Sequence, residues 1–183
     1  MSEYNPYAWF WVAEDGRVFD SARAVIITDK AKAYKDWVAA GMVATNWPRD
    51  DSGNQTDAAL QDVLRPYGIW VDIVQYAADK RWRVETGGTS LGGLTILTDD
   101  RSKLLMNGAY NAAKADPEWS TKLICSDGSR QFVQAAQMIA IGEAIEAHVN
   151  STFVAYSDVI DAIEAGTITD RAGVDAWPWP PNG

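Results

Sequence analysis

The chain has 183 residues, 47% hydrophobic and 22% charged, with a formal net charge of −9; these fractions sit near globular averages and exclude wholesale disorder, and the length suits one good core or two small ones. The acidity excludes an extended phosphate-binding surface, because nucleic-acid affinity comes largely from Lys and Arg displacing counterions. A single cysteine and a single histidine exclude an intrachain disulfide and a cysteine-rich metal site, so a reducing cytoplasm is the expected place of synthesis.

The opening Met1-Ser2-Glu3-Tyr4-Asn5-Pro6 shows no basic segment followed by an apolar run. No uninterrupted apolar span approaches the about 18 residues of a membrane helix, so neither a signal peptide nor membrane insertion is expected. Ala8 to Ala13 is an aromatic and β-branched run that predicts a strand, Glu14-Asp15-Gly16 a turn, and Arg17 to Ile27 a returning strand. Thr28 or Asp29 is placed to cap a helix over Lys30 to Ala40, with Tyr34, Trp37 and Val38 on one side and Gly41 as its stop. Asn46 to Gln55 concentrates turn formers and reads as an exposed loop. Thr56 then begins a short helix with Leu60, Val63 and Leu64 on one face, closed by Pro66 and Gly68, where a module boundary is expected.

Trp70 to Glu85 follows helical spacing, with Ile73, Val74, Ala77, Ala78 and Trp82 near one another and Lys80-Arg81-Trp82-Arg83 as a solvated face anchored by Trp82. Gly87-Gly88 stops it, and Gly92-Gly93 between short apolar pieces predicts a hairpin. Thr98 or Asp99 caps the next helix, to about Ala115, with Leu104, Leu105, Gly108, Ala109 and Ala112 available for packing. Pro117 to Gly128 is a connection with an extended piece at Thr121 to Cys125. Asp127 or Ser129 then starts the longest helix, to Val154 or Tyr156. On a wheel its apolar arc of Phe132, Ala135, Met138, Ile139, Ile141, Ile145, Val149 and Phe153 spans about half a turn, a core helix rather than a coiled-coil seam. The opposite side, with Val133, Ala140, Ala144, Ala147 and Ser151, is small enough for close packing, either between subunits or within the chain. Ser157 caps a further helix to Gly166, Thr169 begins a last turn, and Trp177-Pro178-Trp179-Pro180-Pro181 reads as extended.

No catalytic, cofactor or metal-binding residue emerges from this pattern. His148 stands at the edge of the apolar arc as a core or interface residue, and Glu143, Glu146 and His148 lack the paired histidines of a zinc helix. Thr98-Asp99-Asp100 reads as a helix cap, the glycines at 87, 88, 92 and 93 as turn residues, and Cys125, despite Lys122 nearby, as a thiol without a histidine partner. Of nine tryptophans, Trp9, Trp11, Trp37, Trp70 and Trp82 fall within elements. Trp177 and Trp179, with Pro178, are candidate partner contacts alongside Ala140, Ala144 and Ala147. Trp47 and Trp119 lie in loops and are candidate platforms for stacking on sugar.

From Lys80-Arg81 and Glu85, through the glycine turn, Thr98-Asp99-Asp100, Gly108-Ala109, Trp119, Asp127-Gly128, Gln137, His148-Val149 and Phe153, to Trp177-Pro178, the chain resembles an uncharacterised C-terminal domain family of bacteriophage tail-fibre and tail-fibre-assembly proteins. Val18-Phe19-Asp20-Ser21-Ala22-Arg23, Trp37-Val38-Ala39-Ala40-Gly41 and Asp62-Val63-Leu64-Arg65-Pro66-Tyr67-Gly68 are similar to the short modules that precede it in phage tail genes. Ser120 to Arg130 departs from the family pattern, in which Trp is followed more directly by the Asp-Gly turn.

The resulting expectation is an α+β protein: an N-terminal β-hairpin and helix module (1–68), a mainly helical domain with a glycine-rich hairpin and one long helix (69–176), and an extended Trp/Pro tail (177–183). The resemblance implies a structural protein of the virion tail, at the fibre or tail tip, assembled in the host cytoplasm and acting by packing against other phage tail or fibre proteins or against its own copies. The alternatives are an assembly chaperone that leaves before the virion is complete and a carbohydrate-binding module that takes a host glycan. It implies no catalytic residue or cofactor, and the charge and apolar-span readings above leave nucleic acid and membrane insertion unexpected.

Overall fold

The computed structural model describes residues 4–124 and 130–182, and the chain gathers into two compact units, Met1–Ala78 with Val159–Ala176 and Asp79–Asp158 with Trp177–Gly183. Helices and small sheets alternate along it, which is the α+β class expected. The unit bounds differ from the sequence modules: residues 69–78 and 159–176 cluster with the N-terminal part, and the tail clusters with the second unit.

In the first unit β1 (Phe10–Val12) turns through Gly16, held at φ +88° where glycine has no Cβ to clash, into β2 (Arg17–Asp20), with Trp11 opposite Phe19. The continuous strand expected to Ile27 is broken. The buried Asp20 carboxylate accepts the amides of Ala22 at 3.0 Å and Arg23 at 3.4 Å, bending the chain before β3 (Val25–Thr28) pairs back on β2. Helix α1 (Lys32–Ala39) starts from Ala31 without a side-chain cap, so neither Thr28 nor Asp29 serves. It sets Tyr34 and Trp37 edge-on to Phe10, at 5.6 and 5.1 Å between ring centroids, while Val38 is exposed. Strand β4 (Thr45–Asn46) joins β1 in parallel and completes the order β3-β2-β1-β4.

Helix α2 (Asp57–Leu64) is capped as expected by Thr56, whose hydroxyl accepts the Ala59 amide at 3.2 Å. Leu60 and Leu64 turn into a core with Phe19, Trp47 and Ile69, and Val63 faces out. A turn of 3-10 helix over Arg65–Tyr67 ends at Gly68.

Helix α3 (Ile73–Glu85) begins after Asp72, whose carboxylate accepts the Val74 amide at 2.8 Å, and not at Trp70. Trp82, expected to anchor the basic run, is 50% exposed, whereas Val84 and Glu85 are buried. The expected hairpin forms as β5 (Thr89–Leu91) and β6 (Leu94–Ile96) around Gly92-Gly93. Helix α4 (Asp100–Ala115) is capped by Asp99, which accepts the Ser102 amide at 3.0 Å; the Ser102 hydroxyl and amide hold the Asp99 carboxyl below the usual carboxylate range.

The extended piece expected from Thr121 forms, but as one strand of a hairpin rather than as a connection into the long helix. Strands β7 (Ser120–Ile124) and β8 (Arg130–Gln134) form a hairpin, and α5 (Ala135–Glu164) begins only at Ala135; Asp127 and Ser129, its expected caps, lie outside the described residues. Along β8 the period is two, so Val133 is buried and Phe132 exposed, the reverse of their helical-wheel placement. Helix α5 runs on through Ser157 to Glu164 as one element. From Met138 onward the buried positions Ile141, Ile145, His148, Thr152, Ala155 and Val159 follow at alternating three and four; Ala135 is buried as well and Ile139 and Val149 pack on the second core, as the expected arc has them, while Phe153 is outside it. The second core joins Met138, Ile141 and Ile145 to Ile96, Ala113 and Val133.

Helix α6 (Arg171–Asp175) belongs to the first unit and is capped by Asp170 rather than Thr169. There the Arg171 amide donates to the Arg23 carbonyl at 3.1 Å and the Tyr76 hydroxyl to Asp175 at 2.8 Å.

Two helical glycines separate propensity from packing. A methyl at Gly108 meets open space, whereas at Gly142 it is driven into the Tyr110 ring. Gly108→Ala is expected to stabilise by about 0.5–1 kcal/mol, and Gly142→Ala to destabilise by about 1–3 kcal/mol through overpacking. Urea midpoints of the two variants should move in opposite directions from wild type.

Candidate interaction surface

The last turn of α3 gathers the polar groups of the second unit. Glu85, 7% exposed, forms ion pairs with Arg81 one turn before it and with Lys103 of α4, and Lys103 also reaches Asp100 at 3.1 Å. The Arg81 guanidinium lies 4.2 Å over the Phe153 ring. Beneath it the buried Thr98 hydroxyl donates to the Glu85 carbonyl at 2.5 Å and accepts the Gly88 amide at 2.9 Å. His148 Nε2 stands 3.2 Å from the Val84 carbonyl, a partner that places the proton on that nitrogen. Burial works to lower the Lys103 pKa, but its hydrogen bonds to Glu85 and Asp100 outweigh burial and hold it above the ordinary value of 10.5. Each group in this cluster is answered by a neighbour, which is the geometry of a structural junction.

Beside it lies an apolar surface. An open groove of about 320 Å³ runs between β6, α4 and the β7–β8 hairpin, lined mainly by Leu94, Ile96, Leu97, Leu105, Met106 and Leu123, with Lys122 as its charged member. Leu97 and Leu105 rim it, and Leu104 follows on α4; Leu104 is 72% and Leu105 61% exposed. The sequence reading marks Leu104 and Leu105 for packing, yet the chain itself does not cover them. Adjacent helical residues are about 100° apart, so the Leu104-Leu105 pair spreads apolar surface over a broad arc of α4.

Among the described residues no cluster of His, Cys, Asp and Glu is fit to hold a metal ion, and no helix is long and apolar enough to cross a membrane. Residues 71–176, more than half of the chain, match the family described as Domain of unknown function (DUF4376). The chain belongs to that family. No curated protein and no solved structure matches it.

The DUF4376 region holds α3 to α6, and with it the Glu85 junction and the leucine surface. Of the candidate partner contacts, Ala140 and Ala147 of α5 are exposed and Ala144 half-buried. Trp177, Pro178 and Trp179, just past the matched region, share a groove with Asn150, Ser151 and Val154 of α5, so the tail is laid along its own unit. Of the sugar-stacking candidates Trp47 is not on the surface: it is 1% exposed and donates through Nε1 to the Thr56 carbonyl at 2.9 Å, because its backbone continues β4 into the first core. Trp119 is half-buried and packs on the second core. Sequence reasoning misses Glu85 as a hub, although its spacing of four from Arg81 is a visible signal.

Removing the Glu85 carboxylate leaves two cations facing each other at a largely enclosed site, so Glu85→Ala is expected to cost about 2–4 kcal/mol in denaturant unfolding. Lys103 has a raised folded-state pKa, so its contribution is fully present below the unfolded value of 10.5 and is lost as pH rises through the folded one. The stability advantage of wild type over Lys103→Met should hold from neutral pH to about pH 10 and shrink above it; a constant difference to higher pH would contradict the pairing.

Proposed function

We propose that this chain is a structural protein of a bacteriophage tail, at the fibre or tail tip, that works by protein packing and not by catalysis. The observation that carries the packing reading is the uncovered leucine surface of Leu97, Leu104 and Leu105 beside an apolar groove, on a domain whose buried charges are already paired. Support for the tail comes from the ordered run of motifs from Lys80-Arg81 to Trp177-Pro178 that resembles domains of tail-fibre and tail-fibre-assembly proteins. Its partners on this reading are its own copies and other tail or fibre proteins, and its place is the virion tail after assembly in the host cytoplasm.

The same surface would serve a chaperone that holds a fibre subunit and then leaves, and the two differ in where the chain ends up. Mass spectrometry of purified virions, with copy number scaled to a major tail protein, is expected to recover this chain in stoichiometric amount. Its absence from virions despite abundance in infected cells would replace the structural reading with the chaperone.

A further inference from the structure

Helix α4 carries two apolar faces. Met106, Ala109 and Ala113 pack into the second core, while Leu104, Leu105 and Gly108 face solvent. Folding therefore buries the smaller set and leaves the leucines in water, an arrangement that forgoes the gain of burying two large side chains unless something covers them. At about 100° per residue, Arg101, Leu104, Leu105, Gly108, Ala112 and Ala115 fall on one stripe centred on Gly108.

We propose that this stripe is the contact between two copies of the chain, packed antiparallel about a twofold axis near Gly108. The stripe is bulky in its first half and small in its second, so an antiparallel mate seats Leu104 and Leu105 of each copy over Gly108 and Ala112 of the other. A parallel mate would set leucine against leucine and hold the small halves apart. Charge favours the same arrangement. Asp100 in the first turn and Lys114 in the last lie on one flank, about 40° apart around the axis, so antiparallel pairing brings Asp100 of each copy beside Lys114 of the other and opposes the helix dipoles. Leu97, which lines the groove with Leu105, widens the contact beyond the helix pair. This pairing is a property of the chain itself and does not depend on the tail reading.

Sedimentation equilibrium of the full chain over a wide concentration range tests it. The expected result is a species of twice the 20.1 kDa chain mass. Gly108→Leu should raise the dissociation constant at least about tenfold by overpacking the axis, without lowering the thermal midpoint of the monomer, because that site opens on free space. Asp100→Lys should weaken pairing and the double variant Asp100→Lys with Lys114→Asp should restore it. A wild-type chain that stays monomeric at every concentration, a Gly108→Leu dimer as tight as wild type, or a double variant no tighter than the single one would overturn the proposal.

Discussion

The second unit depends on how the buried carboxylate of Glu85 is satisfied. A carboxylate removed from water is tenable only with cations and hydrogen bonds around it. Here Arg81 answers it from α3 and Lys103 from α4. Thr98 ties the backbone of the same residue to the base of the hairpin. One side chain thus fixes the exit of α3, the entry of α4 and the angle between them. It also sets the rotation of α4 about its own axis. With Lys103 turned to Glu85, Met106 and Ala109 follow into the core, and Leu104, one residue and about 100° further on, turns outward. The exposed leucines are a consequence of the buried ion pairs.

Legibility followed the range of the interactions. Caps and turns are local, and Thr56, Asp99, Gly41 and the Gly92-Gly93 hairpin are visible in the sequence because their partners lie within a few residues. The break after β2 is local too, yet Asp20-Ser21 is easily overlooked inside a β-branched run. Strand β8 is hidden for a different reason. Its residues Phe132 and Val133 can extend a helical wheel as well as a strand, and only pairing with β7 across residues outside the local window selects period two. Leu104 and Leu105, the most apolar positions of α4, are expected to pack, yet they face solvent. Their orientation is decided by Lys103 and Glu85, eighteen residues apart. Trp47 sits among turn formers, and its burial depends on β4 pairing with β1, which no local pattern announces.

Helix α5 shows the same contest between local and long-range terms. Its buried stripe keeps the three-and-four spacing over its length, while polar members, His148 and Thr152, interrupt the apolar ones. Both are answered by backbone carbonyls, His148 through Val84 and Thr152 through Val149, so a polar residue on the inner face costs little. Phe153, outside that stripe, is covered instead by the Arg81 guanidinium.

Net charge bears on what the leucine surface can do. At −9 the chain repels its own copies at long range, and salt screens that repulsion beyond about 8 Å. A contact then forms only where short-range burial is large and local charges are complementary. The stripe on α4 meets both conditions: its apolar centre is flanked by Asp100 and Lys114, whose signs oppose across an antiparallel pair. General acidity suppresses non-specific collapse through the same leucines, and the flanking pair selects among the geometries that remain. An exposed apolar patch on an acidic chain is therefore better suited to one defined contact than to indiscriminate adhesion.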